Sequence, residues 1–218
     1  MSRAEAQTVS LLLDGRAHQG ILGLPGAPTG LVIFAHGSGS SRLSPRNRQV
    51  ASTLQDSGIA TLMFDLLTEE EDQTQANRFD IDLLGRRLVQ ACHWATTQPS
   101  LAPLPLGLFG ASTGAAAALL AAADAPQTIR AVVSRGGRPD LAGEALERVQ
   151  SPTLLIVGGD DTTVIQLNRQ AQALMHARCE LEIIPGADHL FEEPGTLERA
   201  AELATAWFGK WFRGASMV

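Results

Sequence analysis

Three residues of this chain have the types that nucleophilic catalysis uses: Ser112, Asp161 and His189. Ser112 is the centre of Gly110-Ala111-Ser112-Thr113-Gly114, a G-x-S-x-G pattern that follows an apolar run and opens an alanine-rich segment. Such a stretch predicts strand, sharp turn and helix, with the serine hydroxyl projecting from a strained turn at the top of a sheet. The flanking glycines suit a turn so tight that Cβ atoms would collide. A helix starting directly after Ser112 also brings its N-terminal N–H groups and positive dipole end to the point where an oxyanion would develop. The pattern alone is not specific in a chain with 21 glycines, and a serine that merely caps a helix reads the same way.

A serine hydroxyl needs a base to take its proton, and the base needs an acid to fix its tautomer. Of the five histidines, only His176 and His189 follow the candidate acids in the chain. His176 lies late in a helical pattern, whereas His189 sits in Gly186-Ala187-Asp188-His189, after the last apolar run, and is the expected base. Asp160 and Asp161 are adjacent. Asp161 stands where the loop after Gly158 turns into the helix that begins near Val164, and is the expected orienting acid, with Asp160 as its surface neighbour. A tetrahedral intermediate needs two N–H donors, expected from the backbone of Thr113 and of Ser38 in the loop His36-Gly37-Ser38-Gly39-Ser40-Ser41. His36 is expected to hold that loop by hydrogen bonding rather than to act as a base.

The elements that must position these groups can be read in order. Thr8 to Leu13 and Gln19 to Leu24 are apolar runs joined at Asp14-Gly15, a hairpin signal. Leu31 to Ala35 is the next strand, and Ser44-Pro45 with Gly58 marks a helix start and stop. Ile59 to Phe64 reads as a strand, and the acidic Thr68 to Asn77 as a solvated surface loop rather than a metal site. Asp80 to Thr97 has helical apolar spacing and runs into the strand before Ser112. Then follow a strand at Ile129 to Val133, at most a short helix within Asp140 to Val149, and a strand at Pro152 to Val157. The chain closes with a helix at Val164 to Met175 that turns Leu167, Ala171 and Leu174 inward, a strand at Leu181 to Ile184 and a helix at Leu197 to Phe212. This alternation predicts one α/β domain over residues 1–218, a three-layer α/β/α sandwich on a mostly parallel eight-stranded sheet with an N-terminal antiparallel hairpin. In such a sheet the functional loops lie beyond the carboxyl ends of the strands, where Ser38, Ser112, Asp161 and His189 all fall.

Composition narrows the function classes. A net charge of −6 gives no global attraction to nucleic acid or to an anionic membrane. The N-terminal residues have no apolar signal core and no run of 18 apolar residues occurs, so a cytoplasmic protein is expected. Cys92 and Cys179, far apart and outside any C-x-x-C, read as buried structural thiols. Trp207 and Trp211 on the last helix read as core, and the assembly is expected to be a monomer or a homodimer.

Taken together, HGSGSS after the first parallel strand, GASTG at the turn, GGDDTTV and PGADHLFEEPG make the chain from about residue 8 resemble the α/β-hydrolase superfamily, and more narrowly its compact dienelactone-hydrolase-like group. The resemblance implies a Ser112, Asp161, His189 triad in the order usual for that fold and action on esters, lactones or thioesters without a cofactor or metal. Dienelactone hydrolases proper carry a cysteine at the elbow where this chain has Ser112; the acyl-transfer mechanism carries over and the dienelactone substrate does not follow. Only eighteen residues separate Val133 from Pro152, too few for a helical cap domain, so the site is expected to be open. Arg135, Arg42 and Arg138, with Arg46, are candidates for its rim and suit an anionic group on a small-molecule ester or thioester. Two further readings use the same residues: a non-catalytic ligand- or partner-binding member of the fold, and a peptidase or acyltransferase.

Overall fold

The computed structural model describes residues 5–213. Strands β1 (Glu5–Leu13) and β2 (Arg16–Leu24) form the antiparallel hairpin, turning at Asp14 and Gly15, both at positive φ. Then come β3 (Leu31–Ala35), α1 (Pro45–Asp56), β4 (Ala60–Phe64), α2 (Glu69–Asp72) and α3 (Ile81–Thr97). The second half holds β5 (Leu106–Ala111), α4 (Thr113–Asp124), β6 (Ile129–Arg135), α5 (Ala145–Arg148), β7 (Thr153–Gly158), α6 (Thr162–Leu174), β8 (Cys179–Ile184) and α7 (Thr196–Arg213). The strand order is β1-β2-β4-β3-β5-β6-β7-β8, parallel from β4 through β8. Between β6 and β7 there is only a short 3-10 turn and α5, so no cap is inserted there.

The five residues of β3 are all buried because both faces of the sheet are covered, the pattern expected of a parallel sheet between helices. Strand periodicity sorts them by face. Leu31, Ile33 and Ala35 join Leu88, Ala91 and the alanines of α4 in one core, and Val32 and Phe34 join Val50 and Leu54 of α1 and Phe208 of α7 in the other. The alanine run makes α4 slim enough to be buried nearly all round; where it meets α3, a Cβ on Gly85 would come within 2.8 Å of Leu120. That packing fixes the start of α4, and hence Ser112, against the sheet. On α7, Trp207 is buried and meets the half-buried Trp211 edge-on at 5.8 Å.

Two expectations need correction. The acidic stretch 68–77 is not a simple solvated loop: it contains α2 with a Thr68–Glu71 capping box and a 3-10 turn at Gln75–Phe79. Glu71 turns inward to the buried Arg87, which donates to both of its carboxylate oxygens at 2.6 Å and to Leu66 O at 2.9 Å. Those hydrogen bonds pull the Glu71 carboxyl down to about 2. In α6 the buried residues are Val164, Ile165, Asn168 and Ala171, whereas Leu174, the last residue of the helix, is exposed. Among the described residues no helix is long and apolar enough to cross a membrane.

Candidate active site

Ser112 joins β5 to α4 with φ 52° and ψ −123°, a conformation that a non-glycine residue adopts only when its surroundings impose it. Its surroundings do so from both sides. The Ser112 N–H donates to Arg135 O at 3.3 Å, and its carbonyl accepts from the N–H groups of Ala115 and Arg138, each at 3.1 Å. A Cβ on Gly110 would lie 2.4 Å from Ala115 Cα, and one on Gly114 would lie 2.1 Å from Ala35 O, so the elbow closes only with glycine on both sides. The Ser112 hydroxyl makes no capping bond to α4, which removes the helix-cap reading of the pattern.

The opposite wall is the loop after β3. His36 is buried; its Nδ1 donates to Gly37 O at 3.0 Å while Nε2 accepts from the Leu66 N–H at 3.1 Å. Burial lowers its pKa, so it holds this loop as a neutral imidazole. Gly37 lies so close to Ser112 that an added Cβ would stand 3.1 Å from Ser112 Cβ. The Ser38 N–H donates to Thr113 Oγ1 at 2.8 Å, a bond between residues 75 positions apart that no local pattern announces. Thr113 opens α4, so its own N–H has no acceptor within the helix.

Asp161 caps α6, one carboxylate oxygen accepting from the Val164 N–H at 3.4 Å, and the other accepting from His189 Nδ1 at 2.7 Å. Its neighbour Asp160 is exposed and engages Ala187 O only through its backbone N–H, at 3.0 Å. The His189 loop is braced by residues that the sequence did not single out. Asp188 accepts from the N–H groups of Leu190 and Phe191 at 2.7 Å each, an Asx-type turn, and Glu193 accepts from the Asp188 N–H at 3.0 Å. Ser112 and His189 line one cleft of about 240 Å³ with Gly37 and Ser38. Among the described residues, no hydrogen bond is formed between His189 and Ser112; in unliganded sites such contacts are often long and tighten with substrate.

The arginines separate. Arg42 donates to Asp65 through both its guanidinium and its backbone N–H, and it lines a neighbouring cleft of about 500 Å³ rather than this one. Arg138 forms a two-pronged pair with Asp140 at 2.9 and 2.8 Å and is not among the residues lining the Ser112 cleft. Local carboxylates have claimed both. Arg135 does line the cleft, as does Arg46, which is half paired at the surface with Glu192 at 3.2 Å. Among the described residues no cluster of His, Cys, Asp and Glu side chains is arranged to hold a metal ion.

Ser112 follows β5, Asp161 follows β7 and His189 follows β8, all at the carboxyl ends of strands in one sheet, and a serine, a histidine and a carboxylate are the side-chain types that acyl transfer uses. A family model and a solved structure point to the same family. An alpha/beta hydrolase domain model matches residues 28–206. A crystal structure of dienelactone hydrolase from Anabaena variabilis is 52% identical, superposes with a TM-score of 0.94, and covers 96% of this chain and 99% of its own. Est1E from Butyrivibrio proteoclasticus shares the fold at 16% identity and a TM-score of 0.78, covering 97% of this chain and all of its own. Proteins of two Mycobacterium tuberculosis strains, each named "Putative phosphoribosyl transferase", are 61% identical over 189 residues, which is 87% of this chain and 43% of theirs. The chain thus spans less than half the length of these curated relatives. On the family model and the dienelactone hydrolase match, the chain belongs to the α/β-hydrolase family, among its dienelactone-hydrolase-like members.

Proposed function

We propose that this chain is a serine hydrolase that cleaves a small carboxylic ester or thioester through an acyl-enzyme. The observation that carries the reading is the 2.7 Å bond to Asp161 from Nδ1 of His189, which lines one cleft with a serine held at positive φ. Asp161 keeps the proton of the imidazole on Nδ1 and so leaves Nε2 as the base. His189 takes the Ser112 proton as Oγ attacks the carbonyl carbon. The oxyanion is met by the Thr113 N–H and by the Ser38 N–H, the latter once the Thr113 hydroxyl rotates away. His189 then returns its proton to the departing alcohol or thiol. Water repeats the sequence to release the acid and restore Ser112.

The phosphoribosyl transferase name attaches to proteins of which the matching region is 43%; within that region the Ser112 cleft supports hydrolysis. The test is turnover of p-nitrophenyl acetate by the parent and by Ser112→Ala, with labelling by a fluorophosphonate. Loss of both in the variant is expected. A variant as active as its parent refutes the assignment, and a parent that neither labels nor turns over points to a non-catalytic binding protein. Turnover that requires an amide, or an acceptor other than water, would instead identify a peptidase or an acyltransferase.

A further inference from the structure

The cleft contains a group that the acyl-transfer mechanism does not use. Arg135 ends β6, in register with Ala111, the residue before the nucleophile. The residue is only 7% exposed. Nη2 reaches Asn47 Oδ1 at 3.4 Å, the edge of a hydrogen bond, and Nη1 is buried with no partner at all. The guanidinium lies 5.7 Å from the centre of the Phe191 ring. Among the described residues Arg135 forms no ion pair, whereas Arg42, Arg78, Arg87 and Arg138 each do. The charge that acts on it is another cation, Arg46, and burial followed by that repulsion pushes the guanidinium down to about 10, which leaves it charged at neutral pH.

A buried cation without a counterion is unfavourable unless something supplies the negative charge. Its position says where that charge would come from. The same cleft is lined by Ser44 and Asn47, in the first turn of the twelve-residue helix α1, which carries no acidic residue there. The positive end of α1, Arg46 and Arg135 therefore face one small space beside Ser112. At about 240 Å³ that space is smaller than the ~300–1,000 Å³ pockets that enclose drug-sized ligands.

We propose that Arg135 is the specificity residue of the cleft, holding an oxyanion, carboxylate or phosphate, borne by the small ester or thioester that Ser112 attacks. This rests on the hydrolase reading for the bond cleaved, but the anion site stands on Arg135 alone. The planar guanidinium offers parallel N–H groups to an oxyanion, and the unpartnered Nη1 is the donor still free to do so.

The experiment compares p-nitrophenyl butyrate with mono-p-nitrophenyl succinate, which places a carboxylate in the acyl part, and phenyl acetate with 4-acetoxybenzoate, which places it on the leaving group. The parent, Arg135→Met and Arg135→Lys are assayed. In at least one pair the parent is expected to favour the anionic ester in kcat/KM, and Arg135→Met to lower that preference by about tenfold to a hundredfold, mainly through KM, with partial recovery in Arg135→Lys. Succinate and inorganic phosphate are also tested as inhibitors of the parent and as ligands that raise the Tm of Ser112→Ala, a shift expected to vanish when Arg135→Met is added. An anion-dependent Tm shift in a protein with no esterase activity would refute the hydrolase reading and keep the anion site. Equal preference in the parent and Arg135→Met for both pairs, with neither anion inhibiting nor shifting Tm, overturns the proposal.

Discussion

Exchanging Asp161 for asparagine separates the charge of this side chain from its shape. One oxygen of Asp161 accepts from His189 Nδ1 at 2.7 Å and the other caps α6 through the Val164 N–H at 3.4 Å. Asparagine can keep the cap through its carbonyl oxygen, which turns its NH2 group toward Nδ1. The imidazole then presents a lone pair at Nδ1 and carries its proton on Nε2, the tautomer that cannot accept a proton from Ser112. In the Ser-His-Asp template this exchange lowers kcat by about 10⁴-fold, equivalent to about 5 kcal/mol of barrier. A loss of about 10³- to 10⁴-fold is expected here, with stability changed by no more than about 1 kcal/mol because the cap survives. Asp160→Asn is the internal control, since that carboxylate is exposed and its backbone supplies the only bond described above. Its kcat/KM should stay within about twofold of the parent, as surface exchanges usually leave a protein unperturbed. The assay is steady-state hydrolysis of p-nitrophenyl acetate, with a thermal melt of each variant. Asp161→Asn retaining more than about a tenth of parental kcat, or Asp160→Asn falling equally far, refutes the assignment of the acid.

Further outcomes follow from groups outside the cleft. Glu71, 15% exposed in its side chain, is lowered from 4.5 to about 2 by its bonds to Arg87. A depressed carboxyl stabilises the fold above its unfolded pKa and loses that contribution as pH falls through the folded value, so urea unfolding should show about 2–3 kcal/mol disappearing between pH 4.5 and about 2. In Glu71→Gln this acid-dependent slope should be absent; an unchanged slope would show that Arg87 does not hold the carboxylate. Burial pushes the Cys92 thiol up to about 12, so at pH 8 a thiol reagent should modify it about 10³-fold more slowly than free cysteine in the native chain and rapidly in denaturant. Cys179, expected to be buried, is only half-buried. Rapid labelling of native Cys92 contradicts its burial.

Most of the scaffold is legible locally because its signals are local. Asp14-Gly15 turns the hairpin, and Ser44 with Pro45 starts α1, its hydroxyl accepting from the Asn47 N–H at 3.3 Å. The alternation of β3 side chains between the two cores and the helical spacing in α3 follow from side-chain geometry along one element. The acidic stretch misleads because its count of carboxylates suggests solvent, while the Thr68–Glu71 capping box, visible three residues apart, marks a helix turn. What turns Glu71 inward is Arg87, sixteen residues on, and no local pattern announces that pairing.

The sequence by itself determined the identity and order of the candidate groups and the elements that carry them: Ser112 between glycines, Asp161 before a helix and His189 after the last strand, each beyond the carboxyl end of a strand that its own residues specify. Only the tertiary structure decided how the chain spends its polar groups. Ser38 and Thr113 are 75 positions apart, yet the N–H of one is engaged by the hydroxyl of the other. Of the arginines expected at the rim, Arg42 and Arg138 found carboxylates and Arg135 found only the amide oxygen of Asn47, 88 positions away. Secondary structure follows from the spacing of neighbours along the chain, but a charge is paired or left alone according to which side chains the folded sheet brings to the same strand ends. That is why the strained turn at Ser112 could be read from its motif, while the unpaired cation in the same cleft appeared only once the fold had closed around it.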